Sequence, residues 1–397
     1  MTQHAERKHA FLSASKAEQW LSCPPSAKLQ DGLPDSRSNY ADEGTTAHEL
    51  AEIKLRQRLT VCNSVARKTL AERMETIKAS NYYGPEMENA IQEYVERVEE
   101  RYMAAKARSS DAVLLLEERL DFTEWVPDGY GTGDVVIIAD EILDVIDLKY
   151  GKGVPVSAVG NPQMRLYGLG AWFLYNFLYG INQINTTIIQ PRLDSVSTDT
   201  IPLDELLDWA ETVVKPTAKL AFAGEGEHKA GEHCRWCKVK GNCRARADEN
   251  MKALEYEFKD PALMTLEEVG SILFIADQLK VWAKDVEEYA FGQAVAGNKV
   301  PQWKLVEGRS NRAFTDKNAA KAKLLQAGYE EEKILKPQEL LGISDLESKI
   351  LGKKVFKELL NDLVVKPQGK PVLVPETDNR AELNSLENDF KDIEMED

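Results

Sequence analysis

Apolar positions along the chain change period twice. From Ala41 to Leu59 the run ADEGTTAHELAEIKLRQRL reads as a helix, with Thr46 and Glu49 at capping-box spacing and His48 in the first turn. Ahead of it, Ser15 is placed to cap a short helix through Trp20 that stops at Cys23-Pro24-Pro25. After Gly84-Pro85, Ile91, Tyr94, Val95 and Val98 keep helical spacing, predicting a helix to about Ala107. At Ala112 the texture turns. AVLLLEERL, DVVIIA and EILDVIDLKY are short, β-branched and nearly continuously apolar, as central strands are. Asn161-Pro162 then supplies an N-cap and a first helical residue, TTIIQPRL reads as a strand, and a helix is expected from about Leu203 to Ala223. Helices, then strands with a crossover helix, predict an α/β core.

The second change comes near Ala262. Thr265 and Glu268 form a capping box, and Leu266, Val269, Leu279, Trp282 and Val286 hold helical spacing to about Gly297. The predicted organisation is a core over 1–260, an α-rich module over 261–365, and an extended linker with a disordered acidic tail over 366–397.

Composition narrows the classes. Of the 397 residues, 43% are hydrophobic and 29% charged, as in an ordinary globular protein. No run approaches the ~20 apolar residues of a membrane span, and the opening MTQHAERKHAFLSASK lacks a signal peptide's apolar centre. A cytoplasmic location with no membrane partner is expected, in a bacterial host if the chain is phage-encoded. Five cysteines do not make a disulfide scaffold. The net charge of −16 opposes nucleic-acid binding, yet Glu376–Asp397 alone holds nine acids against two bases.

The densest chemistry lies in GTGDVVIIADEILDVIDLKYGKG. If Asp140-Glu141 form a two-residue turn, opposed residues have numbers summing to 281, and Asp134 faces Asp147. Directly opposed Cβ atoms lie roughly 4.5–5.5 Å apart, so the two carboxylates repel unless a cation lies between them. Lys149 shares the face of Asp147. Asp-Glu is a mediocre hairpin turn, and a one-residue slip would undo the pairing. A divalent ion beside an ammonium suits phosphodiester hydrolysis; the same spacing also suits an Asp–Lys ion pair on an exposed hairpin. Alone, His48 reads equally as structural or solvated, and the i, i+4 pair Gln163 and Tyr167 as ordinary surface or core.

Taken in order, GTTAH, GTGD, DLK and QMRLY resemble the successive motifs of RecB-type exonucleases of the PD-(D/E)XK superfamily, in the CRISPR-associated and AddB-like iron–sulfur branch. The resemblance spans about residues 11 to 245 and implies a restriction-endonuclease-like core with a mixed central sheet. It implies His48, Asp134, Asp147 and the backbone carbonyl of Leu148 as ligands of Mg2+ or Mn2+. Lys149 matches the catalytic lysine, and Gln163 and Tyr167 the motif that orients the site and contacts DNA. DLKYGKG departs slightly from the frequent DYKTG. WKLVEGR and KPQGKPVLVPETD resemble a phage-encoded family that joins such a core to such a tail.

Cys234, Cys237 and Cys243 follow a C-x2-C-x5-C pattern, one thiolate short of a closed site, and Cys23 is the obvious fourth. The split of one early and three late cysteines resembles the same branch and implies a structural [4Fe–4S] cluster. The same residues could hold structural Zn2+, and His233 could replace one cysteine. Cys62 reads as a buried apolar residue. Lys152, Arg165 and Arg192 flank the site in sequence and read either as phosphate contacts or as solvated surface. Lys349, Lys353 and Lys357 at helical spacing, with Arg309 and Arg312, could guide a strand, although such runs are usually a wet face.

The expectation is therefore a metal-dependent DNA exonuclease acting on single-stranded or duplex ends in phage replication or recombination. The acidic tail would offer a surface to a single-strand-binding or annealing protein. The alternative is a non-catalytic DNA-binding or recombination scaffold that keeps the fold.

Overall fold

The computed structural model describes residues 10–34, 39–61, 63–252, 265–306, 316–327, 342–346, 352–360 and 363–364. Cys62, Arg309, Arg312, Lys349 and the 366–397 tail lie outside them.

Five strands form one mixed sheet in sequential order: β1 (Val113–Asp121), β2 (Tyr130–Ala139), β3 (Ile142–Leu148), β4 (Gln183–Gln190) and β5 (Ser195–Pro202). Only β3 and β4 run parallel; the other neighbours are antiparallel. The β2–β3 pairs run from Ala139↔Ile142 to Val135↔Ile146, the register expected from the hairpin. Asp140 and Glu141 both take positive φ, 53° and 65°, the conformation that matches strand twist in a two-residue turn. The strain of two non-glycine residues there is supported from outside: Asn182 donates its backbone N–H to the Glu141 carbonyl at 2.9 Å.

The helices ahead of the sheet are α1 (Ala17–Ser22), α2 (Ser26–Leu29), α3 (Asn39–Leu59), α4 (Ser64–Lys78) and α5 (Pro85–Arg108). Helix α6 (Pro162–Tyr179) crosses over from β3 to β4, capped by the Asn161 side chain on the N–H groups of Gln163 and Met164. One core joins α6 to Val136, Ile138, Leu143, Val145 and Ile188 of the sheet. On the other face α3 and α5 pack Leu50, Ile53, Ile91, Tyr94 and Val98 onto Val135, Ile137, Ile146 and Leu148. Each fully buried aliphatic side chain contributes about 1.5–3 kcal/mol. The sheet is thus covered on both faces, which is why its central strands read as unbroken apolar runs.

Several local expectations change. Thr46 does not cap: α3 begins at Asn39, and the Thr46 hydroxyl donates to the Asp42 carbonyl at 3.0 Å, as helix-interior threonines do. His48 therefore sits well inside α3. Ser15 lies within a 3-10 turn, Ala14–Lys16, which leads into α1. The strand read in TTIIQPRL ends at Gln190, because Pro191 has no N–H for the ladder. The helix expected over 203–223 forms as α7 (Leu203–Trp209) and α8 (Lys215–Ala223), with a widened π turn between them at Ala210–Val214. Strand β5 was not expected.

Helices α9 (Arg244–Met251), α10 (Leu266–Val295) and α11 (Lys317–Gln326) follow, and Thr265 closes the predicted capping box. The chain divides into a unit over Met1–Glu339 and another over Leu340–Asp397, so the boundary expected at 260/261 falls inside the first. The described part of the second unit includes the helix Lys353–Leu360, in which Phe356 is buried and Lys357 exposed. Among the described residues no helix is long and apolar enough to cross a membrane.

Candidate functional site

At one end of the sheet the alternation of side chains breaks. Leu114 and Leu116 of β1 belong to the α3/α5 face, yet Leu120 belongs to the α6 face and Glu118 accepts a hydrogen bond from Tyr175 of α6 at 2.8 Å. The inversion occurs at Glu117, which has φ +53° although the pairs on either side, Leu116↔Val135 and Glu118↔Gly133, keep one register. A non-glycine residue held there costs about 1–3 kcal/mol and persists only where its surroundings enforce it. Arg56 of α3 donates to the Leu116 carbonyl at 3.0 Å, fastening the strand beside the inversion. Asp134 is the β2 residue that this register sets against Glu117. GTGD also makes room for α6, since a Cβ on Gly131 would lie 2.6 Å from Cε1 of Tyr167.

The residues singled out in the sequence converge here. His48 Nδ1 lies 3.3 Å from Asp134 Oδ1, while Asp134 Oδ2 accepts the Leu148 N–H at 2.8 Å. Lys149 Nζ lies 2.9 Å from Asp147 Oδ2 and donates to Gln163 Oε1 at 3.1 Å. The Gln163 amide in turn donates to Asp147 Oδ1 at 3.1 Å and contacts the Tyr167 hydroxyl at 3.4 Å. Helix α6 thus fixes the carboxylate and ammonium that β3 and its exit present.

The charges are interlocked. Burial opposes a charge on His48, but Asp134 outweighs it and raises the imidazole to about 9. Burial pushes Asp134 up, yet His48 and the Leu148 N–H hold it below the usual carboxylate range. Asp147 lies above that range, because burial and Asp134 together outweigh Lys149. Lys149 is raised, its burial overcome by Asp147. Glu117, absent from the sequence reading, is raised to about 7 by burial and by Asp134. Ligand atoms of His48, Glu117 and Asp134 all lie within 4.8 Å of one another, the one set of three or more His, Cys, Asp or Glu ligands so close among the described residues. Tyr94 was also missed as a site residue. It is 1% exposed, its hydroxyl makes no hydrogen bond, and Asp134, Asp147 and Glu117 lie within electrostatic reach. No pattern in the sequence marked either residue, since nothing there reveals the inversion at Glu117.

The second constellation also assembles. Cys23, Cys234 and Cys237 are buried, Cys243 is half-buried, and none forms a disulfide. Burial first, then the other three thiols, push Cys237 up to about 11, so all four share one neighbourhood. His233 hydrogen-bonds Cys23. Gln30 accepts the Lys238 N–H at 2.9 Å, and Lys238 Nζ donates to the Leu33 carbonyl at 2.6 Å, lashing the early segment to the late loop.

The three basic candidates are engaged by carboxylates. Arg192 pairs with Glu43 and Glu86, each at 3.0 Å, and stacks on Tyr150. Lys152 pairs with Glu86, and Arg165 with Glu205 at 3.2 Å over the Trp209 ring.

A family model matches residues 9–381, nearly the whole chain. The chain belongs to the family described as Protein of unknown function (DUF2800). A solved structure titled "Crystal structure of SSO0001" aligns with 58% of this chain and 96% of its own, at 14% identity and a TM-score of 0.22.

Proposed function

We propose that the chain is a divalent-cation-dependent deoxyribonuclease with a PD-(D/E)XK-type core. One observation carries the reading: Asp134, in the middle of β2, meets Asp147 and Lys149 at the close of β3, with His48 brought in by α3 and Gln163 by α6. A structural ion pair would need only Asp147 and Lys149. It would not account for a buried second carboxylate and an imidazole beside them.

The donors fit a hard or borderline divalent ion, with one imidazole, two carboxylates and the Leu148 carbonyl available as ligands. Mg2+ or Mn2+ held there would supply the Lewis acidity that polarises a phosphodiester and acidifies water. Hydrolysis forms one P–O bond from water and breaks one ester P–O bond. Lys149, pinned between Asp147 and Gln163, orients the attacking water and offsets the negative charge that builds on phosphate. Gln163 keeps Lys149 and Asp147 in register. DNA would reach Lys152, Arg165 and Arg192 by competing with their carboxylate partners.

The four cysteines fit a bound inorganic group. A single tetrahedral zinc, with Zn–S of about 2.3 Å, draws sulfurs to roughly 3.8 Å from one another. Four thiolates complete either a [4Fe–4S] cluster or a Zn2+ site, and we favour the cluster on the resemblance of the one-early, three-late split. Its role would be to clasp the N-terminal segment to the late loop, since hydrolysis moves no electrons.

The test is end-labelled single-stranded and duplex DNA incubated with full-length protein in Mg2+, Mn2+ or EDTA, beside Asp134→Ala and Lys149→Ala. Metal-dependent cleavage that falls by at least about 100-fold in both variants is expected, with label position giving the polarity. No cleavage of any end by metal-loaded protein would instead support the DNA-binding scaffold.

A further inference from the structure

Beyond Asp134 the sheet runs on past the helices that cover it. Glu118 and Leu120 face α6, so Arg119 between them faces the α3/α5 side. On β2 a Cβ at Gly131 or Gly133 would meet Tyr167 or Leu120, which turns Tyr130 and Thr132 to that same α3/α5 side, in line with Asp134. Further along this face Leu116, Val135 and Ile137 are buried, but Arg119 and Thr132 are exposed and Tyr130 is half-buried. Two strand residues span about 6.6 Å. Thr132 therefore lies one such step from Asp134, and the register sets Arg119 directly opposite Thr132. Tyr130 is the diagonal neighbour of Arg119, within reach of a long side chain, and the guanidinium lies 3.9 Å from its ring centroid.

The charge on Arg119 is uncompensated. Lys149, Lys152, Arg165 and Arg192 each hold a carboxylate, whereas the Arg119 side chain forms no hydrogen bond or ion pair among the described residues. Its same-face neighbours do not neutralise it: Glu117 belongs to the His48 and Asp134 group, and Asp121 turns Oδ1 to the N–H and hydroxyl of Thr123. Stacking on the ring settles the guanidinium in one place and leaves its N–H edge to meet two oxygens of one phosphate. In a chain of net charge −16, such an isolated cation beside the site is a handle for a polyanion. We infer that Arg119, braced by Tyr130, holds the phosphate next to the one being cleaved and so sets how the strand lies across Asp134 and Asp147. This rests on the reading of that site as acting on DNA.

The experiment measures binding of a labelled DNA strand to full-length protein by fluorescence anisotropy over a range of salt, with Ca2+ in place of Mg2+ to hold back cleavage. Arg119→Ala is expected to weaken binding about 10-fold and to flatten the plot of log affinity against log salt by about 0.7, the value of one single-strand phosphate contact. Arg119→Lys and Tyr130→Leu keep the charge, so each should keep the slope and lose part of the affinity. The decisive arm leaves the protein unaltered. A neutral methylphosphonate placed at one linkage at a time should weaken wild type about 10-fold beside the cleaved linkage, and should cost Arg119→Ala nothing more there. Strands with and without a terminal phosphate should show equal losses; a loss confined to phosphorylated ends would overturn the internal contact. With Mg2+, Arg119→Ala should cleave with a raised KM and a kcat within about twofold of wild type. Additive losses from variant and methylphosphonate, or wild-type affinity and slope in Arg119→Ala, would overturn the contact while leaving the nuclease reading intact. Wild type that binds DNA through Arg119 yet cleaves none would uphold the contact and reject the nuclease. No binding at all would remove both.

Discussion

The proton on His48 competes with any cation at this site. Because Asp134 raises the imidazole to about 9, the cation-free protein carries imidazolium throughout the neutral range. That proton must leave before Nδ1 can ligate, so divalent affinity should rise from pH 6 towards 9, with proton release at neutral pH. Calorimetry in buffers of different ionisation enthalpy measures the release, and His48→Ala should lose most of the pH slope. An unchanged slope in that variant would exclude His48 as a ligand. Without cation the sign reverses for stability. A raised folded-state value stabilises fully below about 6.5, the free imidazole value, and the contribution disappears as pH climbs through about 9. A bound ion should therefore stabilise the fold most at alkaline pH, where the His48–Asp134 ion pair has gone.

At the scale of the element, α6 and the glycines of β2 set the precision of the site. A methyl group on Gly131 would lie 2.6 Å from the Tyr167 ring, and Tyr167 supports Gln163, which holds Asp147 and Lys149. Gly131→Ala should thus cost about 1–3 kcal/mol of stability through overpacking. Displacing Gln163 by an ångström should slow cleavage by up to about 100-fold. Denaturant titration and single-turnover cleavage measure the two effects. An unchanged midpoint would mean that the ring moves aside without cost. Much of this element layer was legible. The hairpin sum of 281 holds from Ala139↔Ile142 to Val135↔Ile146, and Asn161-Pro162 starts α6. Strand β5 was hidden because its one buried residue, Ile201, comes near its end, while Ser195, Thr198 and Asp199 read as loop. Thr46 misled because a threonine three residues before a glutamate looks the same inside a helix as at its start. Glu117 was illegible for a deeper reason: its importance lies in a backbone angle, and residue type carries no sign of it.

At the scale of the molecule, α10 meets the cysteine loop at Asp285. Along its 30 residues Asp285 is the one buried position among the described side chains. Asp285 accepts from Arg246 at 2.6 Å and pairs with Lys240 at 2.9 Å, the two cations that bracket Cys243. A Cβ on Gly241 would lie 2.6 Å from the Asp285 carbonyl oxygen, so helix and loop touch backbone to backbone. Burial alone would raise Asp285, but Lys240 and Arg246 hold it below the usual carboxylate range. Its contribution is therefore present above the ordinary aspartate value and lost as pH falls through the depressed one. Removing Asp285 leaves the buried Arg246 without its carboxylate, at a cost of about 1–3 kcal/mol, while the half-exposed Lys240 turns to solvent. Asp285→Ala should then release α10 and loosen Lys238–Arg246 together, which hydrogen exchange would record as joint loss of protection. The same variant should surrender whatever the cysteines bind to a chelator faster than wild type, while cation binding at Asp134 is unchanged. If α10 lost protection and the loop kept it, the helix would be a passenger on the cysteine site. Joint loss would make it the outer wall of that site, joining residues 266–295 physically to the core that precedes them.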